Sequence, residues 1–83
     1  MTQQFQVYSR SGCHLCEEMI EHLNLLKEEH AFDFEVIEIT GHQTLEKLYG
    51  VKVPVLAQND REICHYFLDV AGLIEYLKQK QNI

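Results

Sequence analysis

The feature that most constrains this chain is a pair of cysteines, Cys13 and Cys16, placed where a short strand gives way to a helix. Before the pair, apolar and polar residues alternate over Phe5 to Tyr8, as in a half-buried strand. After it, a helix is predicted from about Cys13 to Glu29, because apolar residues recur there at helical spacing: Leu15, Met19, Leu23 and Leu26.

This position matters because a thiol in the first turn of a helix lies among unpaired backbone N–H groups at the positive end of the helix dipole. Both effects favour the thiolate over the thiol. A second cysteine one turn further along can attack a mixed disulfide formed at the first. The spacing of Cys13 and Cys16 is therefore that of a reversible two-electron redox couple.

Cysteine pairs at this spacing also occur in haem attachment sites and zinc sites. Haem attachment requires a histidine directly after the second cysteine, where this chain has Glu17. A structural zinc site requires four ligands, and Cys64 and His65 would point to opposite faces of a strand. We predict no metal site, and we expect the remaining histidines at the surface: His22, His30 and His42.

A buried, inert cysteine pair is the other alternative, and its polar neighbours Ser11 and His14 disfavour it.

The whole chain limits the function further. Its 83 residues, with 46% hydrophobic content, predict one small domain over residues 1–83. A net charge of −6 argues against nucleic acid or an anionic membrane as the main partner. No apolar run approaches a membrane span, and the polar start lacks the basic and apolar regions of a signal peptide. We expect a cytoplasmic protein that acts as a monomer, and in a reducing cytosol such a cysteine pair is usually catalytic or metal-bound.

The other elements follow from apolar runs separated by turn residues. They are a strand over Phe32 to Ile39, a helix over Gln43 to Tyr49, strands over Val53 to Ala57 and Arg61 to Tyr66, and a helix from Val70 to about Gln79. Gly50 is a candidate C-cap and Asp69 a candidate N-cap. Leu45 and Leu48 are expected to face the core, as are three residues of the last helix: Leu73, Ile74 and Leu77.

The order β-α-β-α-β-β-α, with the cysteine pair after the first strand, resembles the thioredoxin fold in its glutaredoxin-sized form. That resemblance implies an α/β domain with a central four-stranded mixed sheet flanked by helices. It is closest to the glutaredoxin-like family of small bacterial thioredoxin-fold proteins, whose motif reads Cys-x-Leu-Cys. It also implies a cis bond between Val53 and Pro54, the only proline. In this fold the proline packs beside the cysteines, and the backbone before it pairs with an extended substrate.

True glutaredoxins differ from this chain after that proline. They carry a Gly-Gly pair and then an acidic residue that helps to hold glutathione. The matching positions here are Cys64 and His65, whose side chains would crowd a backbone that normally lies close to the peptide. Asp69 is the candidate acidic residue, although helix capping explains it equally well, and His65 is the candidate for a new polar contact. These departures argue against glutathione as a co-substrate, and no other cofactor is expected.

The cysteines take different roles according to their positions. Cys13 lies nearest the helix end and solvent, so we expect it to be the nucleophile, with Cys16 as the resolving thiol. His14 and Arg10 are candidates for stabilising the Cys13 thiolate, and each has the alternative of being an ordinary surface residue. Cys64 is expected to be a small buried apolar residue, with a third thiol near the redox pair as the alternative.

The sequence thus predicts a thiol–disulfide oxidoreductase acting in cell redox homeostasis on protein or small-molecule disulfides. Two alternatives remain from other functional classes. One is a metal or iron–sulfur carrier that uses the same cysteines. The other is a noncatalytic adaptor that keeps the fold and binds a partner at the Pro54 edge.

Overall fold

A computed structural model describes residues 3–81 of the 83-residue chain. Its elements follow the predicted order of strands and helices. They are β1 Gln3–Ser9, α1 His14–Leu26, β2 Phe32–Glu38, α2 Gln43–Tyr49, β3 Val55–Gln58, β4 Arg61–His65 and α3 Val70–Gln81.

The strands form a four-stranded sheet in the order β2-β1-β3-β4. β1 runs parallel to β2, as a strand–helix–strand crossover requires, and Ser9 lies opposite Glu38 at their carboxyl ends. β3 is antiparallel to both β1 and β4, and Tyr8 lies opposite Val55. This is the predicted mixed sheet. Its register brings the start of β3 beside the end of β1, from which the cysteine loop leaves.

The main core lies between the sheet and the helices α1 and α3. Phe5 and Val7 project from β1 into this layer, where they meet Leu23 of α1 and Leu73 of α3. The rings of Phe5 and Phe32 meet edge to face with centroids 5.7 Å apart. Strand alternation and helical spacing in the sequence therefore predicted the residues that fill this layer.

A smaller core on the other face of the sheet is covered by α2. The ring of Tyr49 stacks on that of Tyr8 with centroids 4.2 Å apart, and Leu45 packs against the same cluster. The expectation that Leu48 faces inward is wrong, because its side chain is 56% exposed. Leu45 and Tyr49, four residues apart, form the inner face of this two-turn helix and leave Leu48 outside.

Most predicted element ends shift by one to three residues, and three of these shifts have a clear physical reason. α1 stops at Leu26 rather than Glu29, and the N–H groups of Glu29 and His30 both turn back to the Leu26 carbonyl. Carboxylates in a last helical turn oppose the dipole, which favours this earlier end. β3 begins after Pro54, which has no N–H for the ladder. β4 ends at His65 because Tyr66 adopts a left-handed φ of 64°.

Candidate redox site

Cys13 and Cys16 are joined as a disulfide at the start of α1, with their Cα atoms 5.2 Å apart. Cys13 is the N-cap residue, and the backbone N–H of Cys16 donates to its Sγ at 3.1 Å. Cys16 is 1% exposed, whereas Cys13 is partly exposed. The two residues therefore differ in access to solvent: Cys16 is buried, and Cys13 is the one that a partner in solution can reach.

The loop before the disulfide is held by Glu38 at the end of β2. Its Oε1 accepts hydrogen bonds from the Ser11 hydroxyl at 2.6 Å, from the Ser11 N–H at 3.0 Å and from the Thr40 hydroxyl at 3.2 Å. The Ser11 hydroxyl is the main reason that the pKa of Glu38 lies below its usual value. Gly12 completes the turn with a φ of 76°, which a side chain would disfavour.

Glu38 is a site residue that the sequence analysis missed. The signal was present, because Glu38 ends a strand that follows a strand–helix unit and would be parallel to β1. The carboxyl ends of neighbouring parallel strands meet at one edge of a sheet, so a carboxylate there reaches the loop leaving β1.

The Val53–Pro54 peptide bond is cis, as predicted, and Pro54 is buried. The carbonyl of Pro54 accepts a hydrogen bond from the Tyr66 N–H at 2.9 Å, while the Tyr66 hydroxyl donates to the Val51 carbonyl at 2.6 Å. Tyr66, at the end of β4, thus bonds to a residue before the cis peptide and to Pro54 itself. Among residues 3–81, no hydrogen bond engages the backbone N–H or C=O of Val53.

A second interaction with the same turn involves His65, a predicted site residue. Glu62 on β4 contacts the His65 Nδ1 at 2.7 Å and the Lys52 Nζ at 3.0 Å. His65, and then Lys52, hold the pKa of Glu62 below its usual value. The structure therefore places His65 in an ion cluster with the turn before β3.

Arg10 and His14, the predicted cationic neighbours of Cys13, both have carboxylate partners. The Arg10 guanidinium turns towards α2, where Nη1 lies 2.8 Å from the Glu46 carboxylate. The His14 ring is mostly exposed and lies 3.8 Å from Glu17 and 3.4 Å from Glu18. Their predicted role at the Cys13 thiolate stays a prediction.

Asp69 caps α3, as predicted, since its Oδ1 accepts the Gly72 N–H at 3.0 Å. Cys64, one strand residue before His65, is a free thiol that is half-buried against the main core. Burial raises the pKa of the Cys64 thiol, a hydrogen bond from the Asp69 N–H acts against that rise, and the charges of Asp69 and Glu62 add to it.

Two structural findings concern residues 3–81 as a whole. Within this range, His, Cys, Asp and Glu side chains form no group of three or more that could hold a metal ion. None of the helices described there is long and apolar enough to cross a membrane.

The chain matches the family model described as Glutaredoxin-like domain (DUF836) over residues 4–78. The chain belongs to this glutaredoxin-like family. Membership confirms the resemblance drawn from the cysteine pair and the order of elements. No curated protein matches the chain.

Solved structures agree with the glutaredoxin-like assignment. The solution NMR structure of protein Ne2328 from Nitrosomonas europaea is 49% identical, with 92% of each chain covered and a TM-score of 0.83. The X-ray structure of protein XcR50 from X. campestris is 31% identical, covers 90% of this chain and 96% of that chain, and has a TM-score of 0.67. A malarial protein, 16% identical with full coverage of both chains and a TM-score of 0.62, shares the fold.

Proposed function

We propose that this glutaredoxin-like protein is a thiol–disulfide oxidoreductase that cycles between the Cys13–Cys16 disulfide and the dithiol. The observation that carries the proposal is the disulfide at the N-terminus of α1, with one sulfur accessible and the other buried. A lone structural cross-link would not require that asymmetry, whereas an attacking and a resolving thiol do.

The reaction starts from the dithiol form. The Cys13 thiolate attacks one sulfur of a substrate disulfide, forming a mixed disulfide and releasing the other substrate sulfur as a thiolate. Cys16 then loses its proton to solvent and attacks the Cys13 sulfur, which releases the second substrate thiolate. The substrate gains two electrons, the protein becomes the disulfide, and solvent protonates the released thiolates.

The substrate is expected to lie along the turn before β3. The N–H and C=O of Val53 carry no hydrogen bond within residues 3–81, and Val53 comes two residues before Val55, which pairs with Tyr8 near the end of β1. An extended substrate backbone can pair with such groups, as in strand addition. This is the role assigned to Val53 and Pro54 in the sequence analysis.

Glutathione is a poor fit to this site. Cys64 packs against the core where glutaredoxins have glycine, and the Tyr66 side chain lies over the turn before β3 through its bond to the Val51 carbonyl. We therefore propose that protein disulfides or other small disulfides, rather than glutathione, are the substrates. His65 and Asp69 are also engaged, by Glu62 and by the α3 cap.

The proposal is tested by turnover of 2-hydroxyethyl disulfide, with either dithiothreitol or the glutathione and glutathione reductase system as the electron source. We expect saturable turnover with dithiothreitol that Cys13→Ser abolishes. Turnover with glutathione is expected to be at least about tenfold slower. Cys64→Ser is the matched control, because it removes a thiol outside the redox pair, and it should keep turnover close to that of the unaltered protein.

The result also separates the alternatives. A protein that turns over no disulfide contradicts the oxidoreductase proposal, and metal retained by Cys13 and Cys16 after reduction would favour the carrier. Glutathione turnover as fast as dithiothreitol turnover, lost in Asp69→Ala, would contradict the proposal about glutathione.

A further inference from the structure

Two surface depressions that share Glu18 and His22 together form one elongated depression along α1. It starts at Leu15, between the two cysteines, and runs along α1 past Glu18 and His22 to Leu25. These positions share one face of the helix. Phe67, between β4 and α3, lines the same depression as Leu15. We name this depression, defined by these five residues together with Glu21, the α1 groove.

The α1 groove is large and partly apolar. Its inner part has a cavity volume of about 200 Å³ and its outer part about 450 Å³, which suits several side chains. Phe67 is 69% exposed and Leu25 is 60% exposed. Exposed large apolar side chains at both ends of a depression that starts at Leu15, the residue before Cys16, indicate contact with a partner.

The charge of the α1 groove indicates what kind of partner it accepts. Its lining includes the carboxylates of Glu18 and Glu21 and contains no lysine or arginine. Among residues 3–81, Glu21 has no ion pair, and the ion pair of Glu18 is with His14 at 3.4 Å. A binding segment with lysine or arginine would supply the missing positive charge and would be favoured during approach as well as in the complex.

We propose that the α1 groove binds segments of partner proteins in which a disulfide-bonded cysteine lies near an apolar side chain and a lysine or arginine. The apolar side chain packs against Phe67, and the cation lies near Glu18 and Glu21. This selection rests on the proposed oxidoreductase function, because it places the partner's disulfide at Cys13. The groove thus sets the substrate class: basic, apolar protein segments.

The experiment uses two short peptides that differ only in carrying two lysines or two glutamates. Each contains a leucine and one cysteine held as a mixed disulfide with thionitrobenzoate. Attack by the Cys13 thiolate of the reduced protein joins Cys13 to the peptide sulfur and releases coloured thionitrobenzoate. Attack by Cys16 on Cys13 then releases the peptide thiol and leaves the protein disulfide, so each peptide accepts two electrons from the protein dithiol.

We expect the lysine peptide to react about tenfold faster than the glutamate peptide at low ionic strength, with the ratio falling at about 0.5 M salt. The double variant Glu18→Gln, Glu21→Gln should reduce that ratio to about threefold or less. Phe67→Ser should slow both peptides about fivefold at subsaturating concentration, because both contain the leucine.

The matched control is Glu28→Gln, Glu75→Gln, which removes two exposed carboxylates outside the α1 groove and changes the net charge equally. It should keep the tenfold ratio and the turnover of 2-hydroxyethyl disulfide. Equal rates for the two peptides would overturn the groove proposal, and so would a control variant that loses the rate ratio as fully as the Glu18 and Glu21 variant does. In either case, turnover of 2-hydroxyethyl disulfide would still uphold the oxidoreductase proposal. Failure to reduce any of the three disulfides would instead overturn the oxidoreductase proposal.

Discussion

Helices α1 and α3 both begin near a cysteine, but the cap position is filled differently at the two ends. At α1 the cap residue is Cys13 itself, and its sulfur receives the Cys16 N–H. At α3 the cap residue is Asp69, whose carboxylate receives the Gly72 N–H, and Cys64 lies on the preceding strand. The Cys13 sulfur therefore occupies the cap position of α1, where a helix best stabilises negative charge. At α3 the Asp69 carboxylate fills the corresponding position, and the Cys64 thiol lies beside it.

From this difference we expect that proximity to a helix N-terminus does not by itself make a thiol reactive. Burial is the main cause that raises the pKa of the Cys64 thiol; the hydrogen bond from the Asp69 N–H acts against that rise, and the charges of Asp69 and Glu62 add to it. The neighbours of Cys13 also include carboxylates, Glu17 and Glu18, but both contact His14 on the exposed side of α1. The residue in the cap position is what separates the two thiols.

The largest expected effect is in thiol alkylation of the reduced protein. Cys13 should react with iodoacetamide at least about tenfold faster than Cys64 at neutral pH, because each pKa unit changes the thiolate fraction by up to tenfold. Its rate should also reach half its maximum at a lower pH than a free cysteine does, whereas Cys64 should need a higher pH. Pulsed labelling followed by mass spectrometry of the digest measures both.

Unfolding the protein in denaturant provides the control for alkylation, since the two rates should then converge. Cys64 labelling as fast as Cys13 in the folded protein would remove the distinction between the two helix ends.

A smaller effect is expected from removing the charge at the α3 cap. Asp69→Ala should lower the free energy of unfolding by about 1 kcal/mol, the usual cost of losing an N-cap. Asp69→Asn keeps a capping oxygen and should cost less. Both should lower the pKa of the Cys64 thiol, because a neighbouring negative charge is gone. Denaturant unfolding and the pH dependence of Cys64 labelling measure the two results.

Asp69→Asn is the sharper variant, since it separates charge from capping. A Cys64 pKa that stays the same or rises in this variant would show that burial alone controls the thiol.

The contrast between the two helix ends also shows how far the sequence could predict the structure. The cysteine pair at the start of a helix and the cap at Asp69 depend on residues close together in the chain, and both were predicted. The left-handed backbone at Tyr66 was not, because that conformation is unusual for a tyrosine and is held by bonds to Pro54 and Val51.

The remaining differences arise from tertiary contacts. The orientation of Leu48 was predicted wrongly because a helix of two turns offers more than one apolar face, and the stack of Tyr49 on Tyr8 selects among them. The hydrogen bonds from Ser11 to Glu38, 27 positions later in the chain, depend on the register of β1 and β2. Sequence spacing predicts which residues can act, and strand register decides which of them meet.

The smallest expected effect concerns the loop before Cys13, where Ser11 donates hydrogen bonds to the Glu38 carboxylate. The segment before α3 differs, because there the uncharged Tyr66 hydroxyl makes the hydrogen bond, to the Val51 carbonyl. Because the pKa of Glu38 is lower in the folded protein, its ionised form stabilises folding at pH values above its unfolded pKa of 4.5. That contribution is lost as the pH falls through the folded value. Glu38→Gln should therefore be less stable than the unaltered protein near neutral pH, and the difference should shrink on acidification from about pH 5 towards pH 3. Unfolding by urea at several pH values measures it, with Glu35→Gln as the control for charge on the same strand. A stability difference that stays constant or grows on acidification would show that the ionised carboxylate does not hold this loop.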